Sequence, residues 1–136
     1  DNSVSIISAF QLIEHIAKSD VIILVREAYR ALKPQGILIL ETPNVCNIEV
    51  GASTFYLDPT HINPMHPDFI QFLAEYTGYE KAEIAYWEQE NIEKWILSVM
   101  QQEEKDILDS AMFRTVFETV KRLIYSSPDY ALVATK

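Results

Sequence analysis

The run Ile37-Leu38-Ile39-Leu40 restricts what this chain can fold into more than any other stretch. Consecutive branched apolar residues leave no polar face, the pattern of a strand buried on both sides of a parallel sheet. Ahead of it, Lys33-Pro34-Gln35-Gly36 reads as a turn. Pro34 cannot continue a helical ladder, and Gly36 suits the left-handed residue that reverses the chain. Before the turn, Val21, Leu24, Val25, Ala28 and Leu32 recur at helical spacing, on a helix that Ser19 or Asp20 can cap. Earlier still, Val4-Ser5-Ile6-Ile7-Ser8-Ala9-Phe10 reads as a buried strand. Strand, helix and strand at these lengths make a βαβ unit with a right-handed crossover, so the fold class is α/β.

From 41 to 67 the pattern changes. This stretch holds Pro43, Pro59, Pro64 and Pro67, with His61 and His66, and reads as a long loop that Phe55, Tyr56, Leu57, Ile62 and Met65 keep ordered. Pro67-Asp68 then opens a helix with Phe69, Phe72, Leu73 and Tyr76 inward, Gly78 ends it, and a short strand spans 81–86. Two amphipathic helices are expected over 88–125: Ile92, Trp95, Ile96, Val99 and Met100 form one stripe, Met112, Phe113, Val116, Phe117, Val120 and Ile124 another. They supply core, cap a site or mediate oligomerisation. A closing strand ends the chain. The division expected is one partial domain over 1–136: core, loop and helix in 1–87, a helical insertion in 88–126, and the closing strand in 127–136.

Composition narrows the functions. The net charge of −9 disfavours binding to phosphate backbones, so no nucleic-acid partner is expected. No apolar run approaches the roughly 20 residues of a membrane-spanning helix, and no signal peptide is visible. The single cysteine, Cys46, fits a reducing cytoplasm and lacks an activating partner for nucleophilic work. The three glycines, Gly36, Gly51 and Gly78, make no glycine-rich phosphate or nucleotide loop.

The segments SIISAFQLIEHI, REAYRALKPQGILILETPN, FYLDPTHINPMHP and FLAEYTGY together resemble the carboxyl-terminal half of class I S-adenosylmethionine-dependent methyltransferases, closest to bacterial members associated with O-antigen and other surface polysaccharides. In that family an EH pair follows the fourth strand, a helix ends in an L-K-P-G-G turn, and the fifth strand runs into E-T-P-N. Gln35 here replaces the first glycine of the turn. The resemblance implies the second half of a Rossmann-like sheet, about four strands with the opening strand outermost, then the Ile37 strand, an antiparallel closing strand and the Lys81 strand. It implies S-adenosylmethionine as cofactor. The family's glycine-rich cradle is missing, so Ser8, Ala9, Phe10 and Gln11 would form only one wall of the donor pocket, and the isolated chain is expected to bind the donor weakly and to be inactive.

Gln11, Glu14 and His15 follow the opening strand and would share a face if the segment coils as a helix. A carboxylate beside an imidazole can act as general base with its orienting partner, or hold a divalent cation. His61 adds a second imidazole, so Glu14, His15 and His61 are the catalytic candidates. Related methyltransferases acting on RNA 2′-hydroxyls or on a quinone precursor use an E-x-x-E-H motif with a metal; Gln11 in place of the first glutamate weakens that reading here. Asp58, Thr60 and Asn63, with Glu41, Asn44 and Tyr56, are candidates for holding the acceptor, against the alternative that Asp58 and Thr60 satisfy each other in a turn. His66 reads as a helix-start residue.

The leading expectation is methyl transfer to an oxygen of a bacterial surface glycan or related small molecule. The alternatives are a self-associating non-catalytic α/β module, with a homodimer through the exposed opening strand, and a metal-dependent 2′-O-type methyltransferase.

Overall fold

The computed structural model describes residues 1–87, 115, 116, 119, 120 and 126–136. Its elements are β1 (Val4–Phe10), α1 (Lys18–Ala31), β2 (Leu32–Pro43), α2 (Ile48–Ala52), a 3₁₀ turn (Thr54–Leu57), α3 (Pro67–Thr77), β3 (Lys81–Tyr86) and β4 (Asp129–Thr135). The strands form one sheet in the order β1-β2-β4-β3. β1 is parallel to β2, while β4 is antiparallel to β2 and β3. This is the α/β class and the strand order expected. The two helices expected over 88–125 fall outside the described residues, apart from 115, 116, 119 and 120.

One face of the sheet carries the core. Leu38 and Leu40 of β2, Leu132 and Ala134 of β4 and Ala82 of β3 join Val21, Val25 and Ala28 of α1 and Ile70, Leu73 and Ala74 of α3 in a single buried cluster. The pleat sends Ile37 and Ile39 to the opposite face, where they are only half-buried. The run expected to be covered on both sides is thus fully covered on one. β1 departs further from its expected burial, with Ile6 62% and Phe10 58% exposed. It is the edge strand, and only its Ile7 and Ala9 pack against the core.

Local chemistry shifts several boundaries. α1 starts after Ala17 with no side-chain cap, so neither Ser19 nor Asp20 caps it; Asp20 lies in the first turn, where a carboxylate favours the positive end of the helix dipole. At the other end Lys136 Nζ donates to the carbonyls of Tyr29 at 2.6 Å and Leu32 at 2.8 Å. The 33–36 turn is a bulge in the β1–β2 ladder, for Val4 pairs with Leu32 and Ile6 with Ile37. Its left-handed residue is Gln35, at φ 65°, rather than Gly36. Gly36 serves close approach instead: a Cβ there would lie 2.8 Å from the Lys33 carbonyl oxygen.

α3 begins with Pro67, His66 Nδ1 accepts the Asp68 N–H, and Gly78 ends the helix at φ 111°. Its buried stripe is Pro67, Ile70, Leu73 and Ala74. Phe72 and Tyr76, expected inward, lie one helical turn apart on a neighbouring stripe, where they are exposed and stack on each other. The 41–67 stretch is not all loop. It contains the end of β2, α2 and the 3₁₀ turn, with Asn47 Oδ1 capping α2 through the Val50 N–H at 3.1 Å.

Candidate active site

The turn after β1, the end of β2 and the 58–63 segment meet around Glu14. Gln11 has a left-handed backbone, φ 50°, so the segment is a set of turns rather than the helical face expected. Its N–H donates to the Glu41 carbonyl at 3.0 Å, and its Nε2 donates to Glu41 Oε1 at 3.3 Å and to Asp129 Oδ1 at 3.1 Å. Glu14 and His15 have other partners. The carbonyl of Glu14 accepts the N–H groups of Ile62 and Asn63, and Asn63 Nδ2 donates to the Ile13 carbonyl. Those bonds stitch the loop carrying Thr60 and His61 to the turn carrying Glu14.

Glu14 is completely buried. Its Oε2 accepts the Thr42 hydroxyl at 2.8 Å, while Oε1 has no hydrogen-bond partner among the described residues. His15 Nε2 lies 3.7 Å from that Oε1, beyond hydrogen-bond range. On the other side of the ring, Nδ1 sits 2.9 Å from Thr60 Oγ1 and 3.3 Å from the Thr60 carbonyl. Thr60 donates its hydroxyl proton to Asp58 Oδ1 at 2.6 Å. Both Thr60 oxygens can therefore only accept from His15, which places the ring proton on Nδ1 and a lone pair on Nε2. His61 is oriented in the same way, its Nδ1–H donating to the Phe55 carbonyl at 2.8 Å. The two imidazoles meet edge to face with centroids 4.7 Å apart, and the Phe55 ring lies against His61. Asp58 is held below its ordinary carboxylate range, first by the Thr60 hydroxyl, then by the Thr60 N–H, with smaller attraction from His61 and His15.

The sequence candidates thus separate into groups. Glu14, His15 and His61 come together, each with one ligand-type atom, all within 4.8 Å of one another. Asp58 and Thr60 bond to each other, and Thr60 also orients His15. Asn44 and Asn63 are buried with their amides engaged, Asn44 Nδ2 donating to the Ser127 carbonyl and its Oδ1 accepting the Cys46 N–H. Tyr56 is exposed, edge-on to Phe55. Ser8 and Phe10 are exposed on β1, and Ala9 is half-buried.

Glu41 lines a cleft of about 350 Å³ with Trp87, Ser127, Pro128 and Asp129, at the edge where β2 leaves the sheet. Trp87, Asp129 and Thr42 are not among the sequence candidates. Thr42 carries a weak signal, as the residue after Glu41 at a strand end. Cys46 Sγ lies 3.1 Å from His66 Nε2. Because His66 Nδ1 accepts the Asp68 N–H, Nε2 carries the proton and donates to sulfur. Burial, and then Asp68, push the thiol pKa up.

Residues 1–84 match the model of the methyltransferase domain family. The chain belongs to that family. A probable S-adenosylmethionine-dependent methyltransferase of Mycolicibacterium smegmatis is 34% identical over 80 residues, which are 59% of this chain and 30% of that protein. The crystal structure of a SAM-dependent methyltransferase from Archaeoglobus fulgidus superposes with a TM-score of 0.82 at 24% identity, over 100% of this chain and 61% of that one. Haemonchus contortus phosphoethanolamine N-methyltransferase 2, in complex with S-adenosyl-L-methionine, superposes at 0.59 and 21% identity, over 99% of this chain and 34% of that one. The methyltransferase domain described here therefore spans less than two thirds of each of these relatives. Among the described residues no helix is long and apolar enough to cross a membrane.

Proposed function

We propose that this chain supplies the acceptor side of an S-adenosylmethionine-dependent transferase that methylates an oxygen, on a bacterial surface glycan or a related small molecule, in the cytoplasm. The observation that carries the reading is the convergence of Glu14, His15 and His61, each with one carboxylate-oxygen or ring-nitrogen atom within 4.8 Å of the others, in a chain that belongs to the methyltransferase family. S-adenosylmethionine supplies an electrophilic methyl group. As the acceptor oxygen forms its bond to the methyl carbon, its proton must leave, and the three lone pairs are placed to receive it or to draw it off. Asp58 and Thr60 act on His15: they keep the proton on Nδ1 and stabilise positive charge on the ring. The cleft of Glu41, Trp87 and Asp129 offers carboxylates and an aromatic surface to a polyhydroxylated acceptor. No glycine-rich cradle is among these residues, and in this reading the donor's main support comes from sequence beyond them.

Two measurements test it. Calorimetry of the chain with S-adenosylmethionine is expected to show no tight binding, and tight stoichiometric binding would overturn the division of labour. In a longer protein that includes a donor-binding half, labelled methyl transfer to nucleotide-sugar-derived glycans should fall about 100-fold or more in His61→Ala. Full activity of that variant would remove the site from the chemistry.

A second reading, self-association, is favoured by the unpaired edge of β1 with its exposed Ile6 and Phe10. It expects a homodimer by light scattering, converted to monomer by Ile6→Lys; a monomeric chain at all concentrations counts against it.

A further inference from the structure

The geometry points to a divalent-cation site formed by Glu14, His15 and His61, in which Glu14 Oε1 and His15 Nε2 already lie 3.7 Å apart. This rests on reading the same cluster as the functional centre, and it names the cofactor that centre holds. The first observation is the orphaned oxygen. Glu14 is 0% exposed, Thr42 satisfies Oε2, and no described residue hydrogen-bonds to Oε1. A buried carboxylate oxygen without a donor is costly to maintain.

The second observation is independent and concerns where the protons lie. The Thr60 hydroxyl donates to Asp58, and carbonyls have no proton to give, so His15 and His61 both donate from Nδ1. A neutral ring so held leaves Nε2 as its free ligand atom, and Glu14 Oε1 lies 3.7 Å from that of His15. Three ligand-type groups brought this close are an arrangement that a cation completes. The hydrogen bonds from Nδ1 to a carbonyl, and to a hydroxyl itself bonded to a carboxylate, are the outer-shell partners that orient ligating imidazoles and raise their basicity.

The spacing is close to what a metal needs. Ligand atoms about 2.1 Å from one ion lie roughly 3 to 3.5 Å apart, so the 3.7 Å separation of His15 and Glu14 is nearly closed already. The full set, within 4.8 Å, needs a contraction of about an ångström. Two imidazoles with one carboxylate select zinc, cobalt, nickel, manganese or iron(II) over magnesium and calcium, which prefer all-oxygen shells. Three protein ligands leave coordination positions open. The His15 and His61 side chains are 30% and 14% exposed, so those positions can be reached from solvent. An acceptor hydroxyl bound there would lose its proton more readily, the cation stabilising the resulting oxyanion. Gln11 is no ligand, since its amide is spent on Glu41 and Asp129. Among the described residues Asp58 also faces the cluster, with Oδ2 3.8 Å from His61 Nε2.

Titrating the metal-free chain with Co²⁺ while following visible absorption tests the site. Saturation at about one equivalent is expected, reversed by Zn²⁺ and not by Mg²⁺. Thr60→Val should weaken binding about 10- to 100-fold, and Thr60→Ser should restore it. His61→Ala and the near-isosteric Glu14→Gln should abolish the bands while circular dichroism stays unchanged, with Glu75→Gln binding as the unaltered chain does. No saturable signal up to about 1 mM Co²⁺, or equal binding by folded His61→Ala, overturns the inference. Binding and methyl transfer are separate readouts. In a longer protein that includes a donor-binding half, cobalt binding without transfer upholds the site and defeats the transferase reading; transfer at full rate in chelator without cobalt binding does the reverse.

Discussion

Two polar clusters sit at the same end of the sheet and are built on opposite principles. In the Gln11–Glu41–Asp129 cluster one amide donates to both carboxylates at 3.1 to 3.3 Å, and all three residues keep contact with water. In the Glu14–His15–His61 cluster both ring Nδ1 atoms and Glu14 Oε2 are hydrogen-bonded, while Glu14 Oε1 has no hydrogen-bond partner among the described residues. The first arrangement holds strand ends together at small energetic cost. The second maintains a buried carboxyl oxygen without a donor, which folding alone would disfavour, and such a deficit persists where the surroundings enforce it and a function uses it. The difference lies in the protons, since the folds of the two segments are equally ordinary.

Glu14→Gln gives the largest contrast. The amide oxygen can still accept from Thr42, and the NH₂ takes the place of Oε1 beside the two Nε2 lone pairs. Methyl transfer by the intact protein should fall about 100- to 10,000-fold, because the anionic group is gone. Stability measured by urea unfolding should nevertheless rise by about 1 kcal/mol, because a neutral amide replaces a buried carboxylate whose Oε1 has no hydrogen-bond partner among the described residues. A variant that loses both activity and stability would mean that Glu14 is already satisfied in the folded protein.

The larger architecture was legible in the sequence because it rests on periodicity. Val21, Val25 and Ala28 at helical spacing, and Leu38 and Leu40 on the pleat, identify their own buried faces. The strand order came from resemblance, since no local pattern distinguishes β1-β2-β4-β3 from other orders. What stayed hidden depends on single torsions and on partners far along the chain. Nothing local marks φ 50° at Gln11, yet that torsion separates it from Glu14 and directs it to Asp129, 118 residues away. Asn44 and Asn63 resembled acceptor-binding residues because polar groups in a loop look available until their burial is known. Phe72 and Tyr76 were misplaced because an aromatic pair at helical spacing fits either stripe of an amphipathic helix.

Smaller effects sharpen the same contrast through the two left-handed glutamines. Gln11→Ala removes two hydrogen bonds and should lower stability by about 1 kcal/mol, with Co²⁺ binding unchanged, because its partners are outside the metal set. Gln35 has an equally unfavourable backbone, φ 65°, but its side chain makes one long, exposed contact with Glu80 at 3.3 Å. Gln35→Gly should therefore stabilise by about 0.5 to 1 kcal/mol, the relief of the left-handed strain exceeding glycine's added freedom when unfolded. Differential scanning calorimetry of the two variants separates torsional strain from side-chain bonding. Destabilisation by Gln35→Gly would mean that the Glu80 contact outweighs the strain.

The smallest effect is read at Asp58, whose carboxyl is depressed by the Thr60 hydroxyl first and the Thr60 N–H second. A carboxyl with a lowered folded-state pKa contributes its stabilisation fully above the ordinary value of 3.8, and loses it as the pH falls through the depressed one. Acidification from neutrality should thus leave the 58–60 turn intact until below the usual aspartate range. Because the carboxylate is solvent-exposed, global stability should change little. The informative signal is local: the ¹³C shift of the Asp58 carboxyl should titrate below 3.8 in the unaltered chain and move up toward that value in Thr60→Val. In that variant His15 loses the nearer of the two Thr60 acceptors of its Nδ1 proton and keeps only the carbonyl at 3.3 Å, so its ¹⁵N shifts should show the ring partly populating the other tautomer. An Asp58 titration that moves while the His15 tautomer does not would break the link from Asp58 through Thr60 to the open lone pair.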